Sequence, residues 1–206
     1  MSSKAASEPR QISVAISDAL LAVTSTMSVF LLKDNPDCVV DAYSFAVLAL
    51  AASAGVIRFG IAPSFVPVHK FLALIAANSV AMLSLSIWTF NDGDTVDRTT
   101  RLMACALILL ICEIPCWWWG LDSFLEMFQT IVIGMCLSLV VIKSYYLIPN
   151  DEGKLFLMGV FLYLSSSILV GTKGSYGPIK RVDVFHVMLV FANFAFTKGI
   201  MLQRKF

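Results

Sequence analysis

Seven windows of the chain are apolar over membrane-spanning length: 11–32, 42–62, 69–90, 100–119, 122–147, 154–172 and 182–203. A helix of about 20 apolar residues crosses a hydrocarbon layer roughly 30 Å thick. Inside that layer only helices and closed barrels satisfy every backbone polar group. The windows lack the alternation of barrel strands. The expected fold is therefore all-α, a polytopic transmembrane bundle of seven helices forming one domain, 1–206, with a short N-terminal tail, 1–10. Composition agrees: 58% of residues are apolar and 14% charged, too few charges to coat a small soluble domain. Fifteen basic and 14 acidic residues give a net charge of +1, so no basic stripe awaits a phosphate backbone. A soluble enzyme, a disordered chain and a nucleic-acid binder are excluded. Membrane lipids are the expected partners, and a membrane-protein partner is compatible with the same surface.

Short connections rich in proline, glycine and asparagine separate the windows, as tight reversals require. The least marked boundary is Trp119–Gly120–Leu121–Asp122, where glycine breaks one helix and aspartate starts the next; without that turn the count falls to six. Trp88, Trp117, Trp118, Trp119, Tyr145 and Tyr146 close their windows as interfacial belts do. The first window carries Asp18 and no small-residue cleavage site, unlike a secretory signal. Four of the five cysteines lie in apolar runs without metal spacing, and they read as small buried hydrophobes. Basic residues divide evenly between the two faces. The acidic ones gather opposite the N-terminus (Asp34, Asp37, Asp41, Asp92, Asp94, Asp97, Asp151, Glu152), as solvated loop and cap residues rather than calcium ligands. The expectation is a multi-pass protein with a cytosolic N-terminus, in the plasma membrane or endoplasmic reticulum if eukaryotic.

Ionisable residues inside membrane helices mark sites by default. Because successive spans run in opposite directions, their depths can be compared. Asp18, Arg58, His69, Asn78, Glu113, Glu126, Ser166, Asp183 and His186 all fall in the half of the bilayer nearer the N-terminus. They predict one polar half-cavity fed by all seven helices, or a structural ion-pair network in which Asp18, Asp183 or Glu113 neutralises Arg58. Lys143 and Lys198 lie at the other side, where they can snorkel. Asp183 and His186 share a helix face at i, i+3. The chain has two histidines, so a three-histidine zinc site is impossible, and no metal or other cofactor is expected. No phosphate loop or nucleophile elbow is present.

The last span, Val182–Asp183–Val184–Phe185–His186 onward to Phe194, resembles the final helix of the CREST superfamily of seven-span membrane hydrolases, which includes alkaline ceramidases and adiponectin-receptor-like proteins. Their motif there is His-x-x-x-His. His186 matches the second histidine, and Val182 stands where the first would be. The second span, Ser53–Gly60, is similar to the family's serine-and-histidine span, with Arg58 where a ligand is expected and Ser53 one residue off the family serine's spacing. The family's aspartate early in the third span has no counterpart; His69 stands near it. The chain also looks like small membrane proteins with an Asp-containing first span and an Asp-x-x-His last span. The resemblance implies a CREST-like scaffold whose zinc site is lost, since a guanidinium brings permanent positive charge where the metal would sit.

The expected function is that of a non-catalytic membrane protein whose polar half-cavity binds a lipid-like ligand or a partner. The alternatives are an intramembrane lipid hydrolase using Asp18, Asp183 and His186 as acid/base groups, and a small-solute transporter or channel.

Overall fold

A computed structural model describes residues 11–90 and 95–205. They form seven helices: α1 (Ile12–Leu32), α2 (Val39–Val56), α3 (Val66–Thr89), α4 (Thr95–Trp118), α5 (Asp122–Leu147), α6 (Asp151–Ser165) and α7 (Arg181–Gln203). The expected tail, 1–10, and the loop acids Asp92 and Asp94 lie outside the described residues. Taken with their flanking turns, all but α4 are long and apolar enough to cross a membrane; the apolar part of α4, Leu102–Trp118, is shorter. The chain is thus an all-α bundle of the integral, multi-pass membrane type.

The doubtful boundary is a turn. Gly120 has φ +69°, a left-handed conformation that favours glycine. The Leu121 N–H returns to the Cys116 carbonyl at 2.9 Å and closes α4. The second window starts earlier than expected. Asn35 accepts a hydrogen bond from the Asp37 N–H at 2.8 Å and Pro36 opens a 3-10 turn, a start signal that sets φ in advance. Asp41, expected in a loop, therefore lies in the first turn of α2.

Two spans finish on their N-terminal-side ends with wide π turns, Ile57–Ile61 after α2 and Ser166–Val170 after α6. The α6–α7 connection holds a small hairpin, Ser175–Tyr176 paired with Ile179–Lys180, which the sequence reading treated only as a reversal.

Helices α1, α2, α3, α5, α6 and α7 pack in that order as a closed ring, α7 returning to α1, while α4 sits outside it against α3 and α5. The core is aliphatic and aromatic, with Phe45, Phe156 and Phe196 fully buried. At α6–α7 two glycines receive two rings: a Cβ on Gly159 would lie 2.9 Å from Phe196 Cε1, and one on Gly199 would lie 2.7 Å from Phe156 Cε1. Polar rungs cross the α1–α7 seam. Asn193 donates to Ser25 Oγ at 3.0 Å and accepts from Tyr163 at 3.2 Å; Thr197 donates to Ser28 Oγ at 2.7 Å. Such bonds are the main specific glue where lipid removes the hydrophobic drive.

Candidate functional site

The expected polar residues fall into two groups. The first lies where α1, α2, α3 and α7 meet on the N-terminal side. Asp18 is buried in the second turn of α1, and its Oδ1 lies 3.4 Å from His186 Nδ1. Ser17, which sequence reasoning missed, ties the group together: its hydroxyl is 3.0 Å from His186 Nδ1 and 3.1 Å from Asp183 Oδ1. The i, i+3 spacing of Asp183 and His186 brings both groups to the same face of α1. Asp18 fits because α2 presents Gly55 to it: a Cβ there would overlap the carboxylate. One Asp18 oxygen, Oδ2, is buried without a hydrogen-bond partner.

Arg58 sits in the π turn below α2. Its NH1 lies 3.1 Å from His69 Nδ1, and its Cζ stands 4.5 Å from the centroid of the neighbouring Phe59 ring. This corrects the expected ion pair. Among the described residues no carboxylate comes within 4.0 Å of the guanidinium, and its Nε is buried without a partner. Asp18 lies near enough to feel both Arg58 and Asp183 electrostatically. Asp18 is fully buried, whereas Arg58, His69, Asp183 and His186 are half-buried, so the group grades outward toward the N-terminal face.

The second group is separate and corrects the expectation of one shared cavity. Asn78 of α3 donates to Glu113 Oε2 of α4 at 2.5 Å in the buried contact between those helices. Glu126 lies on α5 beside a surface cleft and takes no part in the Arg58 group. Ser166 joins neither: its hydroxyl is spent on the Tyr163 carbonyl at 2.8 Å. Ser53, matched to the family serine, is exposed and bonds the Ala49 carbonyl.

At the other end of the ring sits an ion pair that sequence reasoning placed in loops. Arg204 binds Asp41 and the Asp37 carbonyl, and donates to Ser86 Oγ at 3.1 Å; both charged side chains are 0% exposed. Lys143, expected to snorkel, instead donates to the carbonyls of Trp88 and Phe90 at 3.2 and 2.8 Å, closing the end of α3.

The zinc site of the resembled superfamily does not fit these residues. Among the described residues no three His, Cys, Asp or Glu side chains gather as metal ligands, and the Arg58 guanidinium binds the one imidazole beside it. A serine–histidine–aspartate relay fits poorly too. Such a relay needs serine and carboxylate on opposite ring nitrogens, and here Ser17 and Asp18 both approach Nδ1 of His186.

No curated protein and no solved structure matches the chain. A family model, described as a family of unknown function (DUF6962), matches residues 13–205. With nearly the whole length covered, the chain belongs to that family.

Proposed function

We infer that this is a non-catalytic membrane protein that binds a lipid-like ligand with an acidic head at the Arg58 group, on a CREST-like scaffold without the metal. The observation that carries this is the state of Arg58. A guanidinium is charged at every accessible pH and presents a planar fork of donors suited to carboxylate or phosphate. In this chain it is half-buried, with an imidazole for its hydrogen-bond partner and one donor unused. An acidic head would complete its hydrogen bonding, and the apolar walls of the spans would take the tail. The lost-zinc reading is supported by Arg58 and Val182 at the two positions where the superfamily has histidines. The chain crosses the bilayer seven times in this reading, the 17-residue segment Leu102–Trp118 of α4 covering about 25 Å at 1.5 Å per residue.

The test uses the full chain in a neutral detergent. Oleic acid should raise its melting temperature and methyl oleate should not, because only the acid offers the guanidinium a charge. Arg58→Gln should abolish the oleate effect and Arg58→Lys should weaken it. An equal response to oleate in wild type and Arg58→Gln, or an equal response to acid and ester, rules the reading out.

A further inference from the structure

A second site stands apart from the Arg58 group. On the N-terminal side, α3, α4 and α5 leave an open cleft of about 570 Å³ between them, within the range of roughly 300–1,000 Å³ that small-molecule sites occupy. Lys70 lines it from α3, Trp117 from α4, and Asp122, Leu125, Glu126 and Gln129 from α5. Each charge lies at the end of its helix on the face where lipid headgroups sit. Trp117 turns in toward this cleft, 5.4 Å from the Phe71 ring, whereas Trp118 and Trp119 are 77% and 72% exposed as belt residues. Gln129 is anchored across the cleft by its bond to the Leu74 carbonyl at 3.3 Å. Among the described residues Lys70, Asp122 and Glu126 form no ion pair or side-chain hydrogen bond.

We propose that this cleft holds the headgroup of a zwitterionic phospholipid, a phosphate joined by a short bridge to an ammonium. Lys70 takes the phosphate. Asp122 and Glu126, with the face of Trp117, take the ammonium, as carboxylates and indoles do. The two carboxylates outnumber the one cation, which tells against a headgroup that is only anionic. The occupant differs from the acidic ligand of the Arg58 group in charge, in helices and in exposure, so the two sites fail independently.

Native mass spectrometry of the full chain in detergent, titrated with phosphatidylethanolamine or phosphatidylglycerol of matched acyl chains, tests this. With Arg58→Gln in place, which removes the acidic-head site, the chain should favour the ethanolamine lipid by about tenfold, the scale that two weak, partly exposed charge contacts supply. Asp122→Asn with Glu126→Gln should bring the ratio close to one, and Lys70→Gln should weaken both lipids. Compared with the wild type, Arg58→Gln alone should leave binding of the ethanolamine lipid unchanged. Lys70, Asp122 and Glu126 are exposed, so their variants should keep the melting temperature of the parent chain, which is measured alongside. Equal binding of the two lipids by the Arg58→Gln chain, or an unchanged preference when Asp122→Asn and Glu126→Gln are added to it, overturns the assignment. Loss of ethanolamine-lipid binding in Arg58→Gln overturns it as well, by moving that lipid to the other site.

Discussion

Substituting Gly199 by alanine tests the packing of the ring most directly. The new Cβ would stand 2.7 Å from Cε1 and 2.8 Å from Cδ1 of Phe156, where carbon atoms prefer about 3.5–4.0 Å. The ring must withdraw by roughly 1 Å, and Phe156 is 0% exposed, so it has nowhere empty to go. Overpacking of this kind costs about 1–3 kcal/mol. Replacing glycine in a helix returns at most about 1 kcal/mol of propensity, leaving a net loss of up to about 2 kcal/mol when that return is complete. Gly134→Ala on α5 isolates the propensity term, because a Cβ there meets nothing within 4 Å; it should be neutral or stabilising. Phe156→Leu shortens the intruding ring, so Gly199→Ala combined with it should cost less than the sum of the two, with a coupling of about 1 kcal/mol or more. Reversible unfolding in mixed detergent micelles measures all four chains. A Gly199→Ala protein as stable as Gly134→Ala, or strict additivity with Phe156→Leu, would refute the reciprocal glycine-and-ring contact.

The Asp41–Arg204 pair gives a second expectation: Arg204→Met removes one member of a fully buried ion pair and should cost about 3–5 kcal/mol. The exposed Lys33–Asp34 pair is the control, and Lys33→Met should change stability by under about 1 kcal/mol; equal losses would place Arg204 in solvent. Topology is checked by accessibility labelling of single cysteines in an otherwise cysteine-free chain. Seven crossings put Lys33→Cys and Lys173→Cys on opposite faces, because α2 to α6 lie between them; labelling from one face would remove the α4 crossing from the count.

The windows were legible because the bilayer imposes them. A fixed apolar thickness sets helix length, so the limits of 11–32, 122–147 and 182–203 match α1, α5 and α7 within a residue or two. Gly120 was legible for a similar local reason, since a left-handed turn asks for glycine. The early start of α2 was signalled by Asn35–Pro36, a cap followed by a residue that fits a first turn, but the acid-rich loop on either side masked it and carried Asp41 into the wrong class. Long-range pairings left no such mark. Nothing local tells Arg204, two residues from the end of the chain, that it meets Asp41, or tells Gly55 that it seats Asp18. The polar rungs of Ser25, Ser28, Asn193 and Thr197 show the same limit: a hydroxyl or amide in an apolar run announces that a partner is needed, not which helix supplies it.

The split of one expected cavity into two sites has a geometric cause that lies in α3. Depth along a helix can be read from sequence, since each residue adds about 1.5 Å. Direction around the axis also follows, at about 100° per residue, but only once one face has been fixed by a neighbour. His69 and Lys70 are consecutive and differ by only about 1.5 Å in depth, yet they point about 100° apart. His69 meets Arg58 at the end of α2. Lys70 starts the row Lys70, Leu74, Asn78, four residues apart, and that row faces α4 and α5, where Asn78 finds Glu113 and Leu74 holds Gln129. With α4 outside the ring, this row looks outward from it. The polar residues of α4 and α5 are thereby separated from Asp18 and His186 by the body of α3, although all share one half of the membrane. Sharing a depth made them look like one site; the phase of a single helix divides them into an interior group built around a cation and a surface cleft in which acids outnumber bases.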